Sequence, residues 1–392
     1  MPKLSDIFTL QMGKTPARAK NEYWNNGDND WVSISDLSTY GKYVGETKDT
    51  ISDLAVKESG IKPAPANTVI MSFKLSLGKT AITVSTTYIN EAIMAFIPNG
   101  NYPVHPSYFY HFFAGRDWSN GTNRAVMGTT LNKATLSEID IPVPSMSEQI
   151  EIAIHLDKID TLISLRKQQL SKLDELVKER FVELFGDPIK NDMGWETTSL
   201  KNATSKIGSG ATPKGGKESY QAEGITLIRS MNVHDGRFEY KDLAHITDEQ
   251  AKQLDNVTIE ENDVFINITG ASVARSCIVP KHILPARVNQ HVAIIRCITS
   301  MLNPVFANNM FLNHSFKGRL LDIGETGGAT RQAITKQQLE TLEVILPPLE
   351  LQNQFAAFVE QTDKSKFEIQ KSLEKLETLK KALMQKYFGE MK

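Results

Sequence analysis

The stretch "SEQIEIAIHLDKIDTLISLRKQQLSKLDELVKERFVELFG", residues 147–186, decides the architecture. Apolar residues stand at Ile152, Leu156, Ile159, Ile163, Leu170, Leu173, Val177 and Leu184, on a grid of alternating steps of four and three. Arg166 and Arg180 fill the two gaps in that grid. Such spacing, sustained over about five heptads, is the seam of a coiled coil. Ser147, followed by charged and glutamine residues, predicts a helix start. Gly186-Asp187-Pro188 predicts its stop, a C-cap glycine with proline behind it. Near the C-terminus the grid returns at Phe355, Val359, Ile369, Leu373, Leu376, Leu383 and Tyr387, interrupted by polar Thr362, Lys366 and Lys380. At 1.5 Å per residue each helix would be roughly 60 Å long. Each narrow stripe needs a partner, and the matched lengths predict that the two helices pair antiparallel.

The text before each helix also occurs twice. "GKTPARAKNEYWNNGDNDWVSISDL" from Gly13 returns as "GATPKGGKESYQAEGITLIRSMNV" from Gly210. "ANTVIMSFKLSLGKTAIT" from Ala66 matches "ENDVFINITGASVARSCIV" from Glu261, each a strand, a small-residue loop and a strand. "YINEAIMAFIPN" from Tyr88 matches "RVNQHVAIIRC" from Arg287, with Asn90 on Asn289. "MGTTLNKATLSEIDIPVP" from Met127 matches "GGATRQAITKQQLETLEVILPP" from Gly327, and Gln149 then falls on Gln352. A repeat of this length is a duplicated domain, not a solenoid unit. The expected fold is α+β: two similar mixed domains over 1–145 and 187–347, and two long helices over 146–186 and 348–392. Pseudo-two-fold symmetry with a fixed separation is the geometry of a reader of two DNA half-sites.

The chain has 392 residues, 40% hydrophobic and 23% charged, an ordinary globular composition. Its formal net charge of −2 weighs mildly against nucleic acid, but a whole-chain sum says nothing about one face. Cys277 and Cys297 are the only cysteines. They form no CxxC, so two buried reduced thiols in a cytoplasmic protein are expected. "MPKLSDIFTL" lacks the shape of a signal peptide, and "AIMAFI" is far too short to span a bilayer. "SLGKT" from Ser76 has Phe73 where a phosphate-binding loop needs glycine, and "GATPKGGKE" has Ala211 there. There is no His-x-x-x-His pair and no nucleophile elbow. Catalytic and metal-ligating residues are expected to be absent.

The ordered set as a whole resembles the specificity subunit of a type I restriction–modification system. The set is Gly-x-Thr-Pro, strand–loop–strand, "VNQHVA", "GGATRQAITKQQLETLEVILPPLELQNQF" and a heptad helix ending "ERFVELFGDP", with most of it present twice. The resemblance implies two target recognition domains, each reading one half of a split duplex DNA target. It implies long helices that set the gap between the halves and dock two methyltransferase subunits. Adenine methylation, translocation and cleavage would belong to modification and restriction subunits, which would use S-adenosylmethionine, ATP and Mg, with no cofactor in this chain and no membrane. The first copy departs at one place: "VNQHVA" becomes "INEAIMA", so Gln290 and His291 face Glu91 and Ala92. Two other readings compete: a self-contained modification or restriction enzyme with an unrecognised active site, and a coiled-coil scaffold with no DNA role.

Affinity for DNA comes from Lys and Arg on phosphates, and specificity from Arg, Asn, Gln and Lys on base edges. The candidates in the first domain are Lys14, Thr15, Arg18, Lys20, Lys74, Lys79, Arg124, Asn132 and Lys133. In the second they are Thr212, Lys214, Lys217, Arg275, Thr330, Arg331 and Gln332. For each basic residue the competing reading is a solvated surface charge. For Asn90 and Asn289 it is a turn residue that satisfies backbone groups.

Overall fold

The computed structural model describes residues 1–74, 76–118, 123–125, 128–213, 215–325 and 332–389. The chain forms two compact units, Met1–Lys167 with Lys371–Lys392, and Gln168–Gln370. Each unit takes part of both long helices. Among the described residues no helix is long and apolar enough to cross a membrane.

In the first unit a four-stranded antiparallel sheet runs in the order Phe8–Met12, Ile93–Pro98, Val69–Ser72, Thr80–Ile82. Val69–Ser72 is buried at every residue, so it reads as a continuous apolar run and not as an alternation. A second sheet runs Asp49–Ile51, Trp24–Val32, Tyr88–Ile89, with one antiparallel and one parallel pairing. Helix Pro106–Gly115 contributes Tyr108, Phe109, Phe112 and Phe113 to the core. The ring of Phe113 stacks on that of Phe96, centroids 4.2 Å apart.

The second unit repeats these two sheets strand for strand. Its four-stranded sheet is Thr204–Ser209, Val292–Cys297, Val264–Asn267, Ser276–Ile278. Its three-stranded sheet is Ala244–Ile246, Ile225–Ile228, Ala286–Val288, again with one antiparallel and one parallel pairing. Helix Pro304–Leu312 takes the place of Pro106–Gly115. The repeated text therefore encodes a repeated fold. Cys277 and Cys297 are free and buried, and burial pushes both thiols up to about 12.

The long helices run Met146–Phe185 and Leu349–Phe388. In the first unit Lys380 meets Asp160 at 2.5 Å and Lys167 meets Glu377 at 3.2 Å. In the second Lys366 meets Asp174 at 2.7 Å, and the rings of Phe181 and Phe355 lie 5.6 Å apart. Within each unit, residue numbers fall along one helix as they rise along the other, so the pairing is antiparallel. Every seam position read from the heptads is buried or half-buried. Lys366 and Lys380, which interrupt the second stripe, each meet an aspartate of the facing helix.

Two details differ from the sequence reading. The first helix is capped by Ser145 and not Ser147. The Ser145 N–H donates to the Glu148 carboxylate at 2.9 Å while its Oγ accepts the Glu148 N–H at 3.4 Å. The apolar face also widens at the helix ends. Phe185 and Phe388 lie off the heptad grid yet are buried in the domain cores, Phe185 beside Phe306 and Phe388 beside Tyr108. The seam holds helix to helix, and the added aromatic residues hold helix to domain. The stop is where the sequence puts it: Gly186 adopts φ 70° and its N–H returns to Val182 O at 2.8 Å.

Gln149 and Gln352 join helix and domain in the same way. Both are fully buried. The Gln149 side chain accepts the His105 N–H at 2.9 Å and donates to Pro103 O at 3.0 Å and Pro144 O at 2.9 Å. The Gln352 side chain accepts the Asn303 N–H at 2.9 Å and donates to Met301 O at 3.1 Å and Pro347 O at 2.8 Å. One amide thus ties the start of the domain's helix to the segment that opens the long helix.

Two mutants, with a third as an exposed control, probe these joints. Leu156, fully buried between helix and domain, should lose about 2–5 kcal/mol as Leu156→Ala in urea unfolding. The exposed Leu162 of the same helix should lose under about 0.5 kcal/mol as Leu162→Ala. Gln352→Ala strands a buried N–H and two carbonyls, so a loss of about 1–3 kcal/mol is expected. Gln352→Ala unfolding at the wild-type midpoint would show that the amide holds nothing.

Candidate nucleic-acid interface

The segments that repeat in the sequence meet at one place in each unit. Gly13 and Gly210 lie against the strand that ends in "IN" or "VN". A Cβ on Gly13 would stand 2.1 Å from Ile89 O, and one on Gly210 would stand 1.7 Å from Val288 O. Only glycine allows that approach. Two residues later the Thr15 hydroxyl bonds the Glu91 carboxylate, and the Thr212 hydroxyl bonds the Gln290 side chain. The strand–loop–strand segment joins next. The Phe73 N–H donates to Ala92 O at 3.0 Å, as the Ile268 N–H does to His291 O at 3.0 Å. The last segment closes the set, with Leu131 N–H on Phe73 O at 3.0 Å and Ile334 N–H on Ile268 O at 2.8 Å. Four segments distant in sequence form the same backbone frame twice.

Asn90 and Asn289 serve that frame. Asn90 Oδ1 accepts the Ala92 N–H at 2.8 Å, and Asn289 Oδ1 accepts the His291 N–H at 3.0 Å. This is the turn role, in which the side chain replaces a backbone partner two residues on.

The frame carries several of the candidate residues. Lys79 and Lys133 are exposed, and among the described residues neither ammonium has a carboxylate partner. The Lys74 ammonium lies 5.2 Å from the Phe73 ring. Lys14 donates to Ser59 O. The Gln332 side chain donates to the Glu325 carboxylate at 2.8 Å while its backbone carbonyl accepts the Gly270 N–H at 2.9 Å. Arg275 reaches His234 Nδ1 at 3.5 Å. Others are engaged locally. Asn132 Oδ1 caps the helix Lys133–Ser137, accepting the Thr135 N–H at 2.8 Å. Arg18 lies 3.6 Å over the Trp24 ring and 2.7 Å from Asp49. Lys20 bonds Glu58 at 2.8 Å and Tyr23 at 2.7 Å, and the Glu58 hydrogen bond raises its pKa above the usual lysine range. Arg18 and Lys20 are thus spent on the sheet beside the frame. Lys214, Thr330 and Arg331 lie outside the described residues, as do the side chains of Arg124 and Lys217. Among the described residues no group of three or more His, Cys, Asp and Glu side chains could hold a metal ion.

Charge near the frame differs between the copies. The Thr212–Gln290 contact continues through His291, whose Nε2 lies 3.1 Å from Gln290 and whose Nδ1 lies 2.5 Å from the Thr269 hydroxyl. The first unit has Ala92 in place of His291, and its row ends at Glu91. Arg229 also belongs to this neighbourhood, because the Asn289 N–H donates to Ile228 O at 3.0 Å, one residue before it. Arg229 was not singled out from the sequence. The repeated text does not reveal it, because that text sets Ser33 on Ser230; the matching bonds of Asn90 N–H to Val32 O and Asn289 N–H to Ile228 O set Ser33 on Arg229.

The known proteins that this chain resembles share one description. The family model "Type I restriction modification DNA specificity domain" matches residues 1–175 and again residues 193–381. The type I restriction enzyme MjaIX specificity subunit of Methanocaldococcus jannaschii is 27% identical over 414 aligned positions, covering 100% of this chain and 93% of that one. The crystal structure of a type I restriction–modification S subunit from M. genitalium superposes with a TM-score of 0.58 at 14% identity, covering 100% of this chain and 96% of the other. A structure described as the basis of complex assembly and conformational transition of the type I R-M system gives 0.59 at 17%, covering 98% and 96%. These two likenesses carry the fold, and the double family match carries the assignment. The chain belongs to the type I restriction–modification DNA specificity family, and it holds that family's domain twice.

Proposed function

We propose that this chain is the non-catalytic, DNA-reading subunit of a type I restriction–modification complex. Each unit's frame presents its loops to one half of a bipartite duplex target. The observation that carries this reading is the frame itself: the same four segments brought together twice, with different side chains on them. A target of two unlike halves asks for that combination. Modification subunits, two per chain, would dock on the long helices and methylate one adenine in each half, after the base leaves the stack. S-adenosylmethionine, ATP and Mg would be bound by the modification and restriction subunits. A cytoplasmic location fits these partners.

The candidates divide by chemistry. Lys14, Lys74, Lys79 and Lys133 in the first domain, and Lys214 and Lys217 in the second, are flexible point charges suited to phosphates. Arg124, Arg275, Arg331 and Gln332 carry planar groups suited to base edges. Thr15, Thr212 and Thr330 carry short hydroxyls, and those of Thr15 and Thr212 would act by exchanging their present partners Glu91 and Gln290. Arg18, Lys20 and Asn132 would contribute only by exchanging their present partners.

The test separates the two classes. Lys79→Ala with Lys133→Ala, assembled with methyltransferase subunits, should weaken binding to all duplexes about equally. The slope of log affinity against log salt should become shallower by about two, roughly one per lost phosphate contact. Arg331→Ala with Gln332→Ala should instead relax preference within one half-site. Lysine mutants that bind every duplex as tightly as wild type at every salt concentration would place the DNA elsewhere.

A further inference from the structure

The two frames superimpose in their hydrogen bonds, so positions where the side chains differ are informative. Ser33 and Arg229 occupy one such position, directly after the central strand of the smaller sheet. Ser33 is a good helix cap. Its Oγ accepts the Asp36 N–H at 3.1 Å, its N–H donates to the Asp36 carboxylate at 3.0 Å, and the helix Ile34–Thr39 follows. Arg229 has no side-chain acceptor, and no side-chain cap bond forms. Only the reciprocal half survives, Arg229 N–H to Asn232 Oδ1 at 3.1 Å, and the helix shrinks to the single turn Ser230–Asn232. A residue that gives up a cap on a kept scaffold marks a functional position.

Arg229 is also held without a counter-charge. Its guanidinium lies 5.4 Å from the Tyr220 ring centroid, and one Nη donates to Asp242 O. Its Nε is buried and has no partner. Among the described residues no carboxylate pairs with it, whereas Arg287 has Asp255 at 2.8 Å and Arg296 has Asp263 at 2.8 Å. Arg275 reaches the same turn through His234 and likewise has no carboxylate. Two guanidinium groups therefore charge this turn positively, in a chain whose net charge is −2.

We infer that Arg229 is a specificity-determining residue of the second recognition domain, reading a guanine in its half-site. Arginine offers two parallel donors to guanine O6 and N7, the commonest specific contact in the major groove. The ring and the carbonyl fix the guanidinium plane, which base readout requires and a phosphate contact does not. The position varies between copies on an unvarying frame, as two unlike half-sites require. The inference rests on the DNA-reading function proposed above.

The experiment uses the full chain assembled with methyltransferase subunits and a panel of duplexes, each changed at one base pair of the target. R229S supplies the hydroxyl of the first copy and should fold at least as well as wild type. R229K keeps the charge but loses the planar fork. Both variants should lose preference at one G·C pair in one half-site, by about tenfold to a hundredfold, with every other position unchanged. Equal weakening on all duplexes would make Arg229 a backbone anchor and overturn the inference. So would unchanged preferences in R229K, whatever the fate of R229S. A wild-type complex with no preference at any base pair would instead overturn the DNA-reading function itself.

Discussion

The structure depends on one close approach. In each unit a loop backbone lies on the end of a buried strand, nearer than any side chain allows. A Cβ at Gly13 would stand 2.1 Å from a carbonyl oxygen, and one at Gly210 1.7 Å. With that contact in place, Thr15 and Thr212 reach the residue after the turn asparagine, and the hairpin loop and final segment hydrogen-bond on from there. The frame is therefore almost wholly backbone. It constrains where loops start and end and leaves most of their side chains free. This division suits a recognition domain, in which a rigid scaffold holds variable contact residues.

The helices supply the second constraint. A 4-3 seam is narrow, and two of its polar interruptions are met by aspartates of the facing helix: Lys366 by Asp174 and Lys380 by Asp160. Half-exposed ion pairs of this kind add little stability. Their positions do fix register, because each lysine finds its aspartate in one alignment of the helices. Stability comes instead from the aromatic clusters at the helix ends, Phe181 and Phe185 in one core and Phe388 in the other. The buried amides of Gln149 and Gln352 fix the angle at which each long helix leaves its domain.

Much of this was legible in the sequence, and the reason is duplication. A stripe of heptads and a repeated ordered set need no knowledge of packing, so the helices, their antiparallel pairing and the repeated sheets could be read directly. The match of Gln149 with Gln352 was visible, but its meaning was not, because the three groups each amide joins are distant in sequence. The capping serine was misplaced by two residues because Ser145 and Ser147 both precede an acceptable first turn. Phe185 and Phe388 sit outside the seam grid, and only the domain surface explains them. Among the candidate contacts, sequence could supply charge but not its neighbours. Arg18 and Lys20 look like Lys79 in the text, yet Asp49 and Glu58 occupy them. Arg229 was passed over because it lies in no basic run. It stands out only when two frames with the same hydrogen bonds are compared position by position.

The central claim is that one frame, built twice, reads two half-sites independently. It is tested most directly by building the same frame with the same side chains in both places. A chain in which residues 187–347 are replaced by a second copy of residues 1–145, keeping both long helices, is assembled with methyltransferase subunits, and its methylated adenines are mapped on DNA of random sequence. The account predicts a bipartite target whose two halves are copies of one half-site, the one contributed to the wild-type target by the first domain. A target that kept the wild-type second half, or that changed in both halves at once, would contradict it.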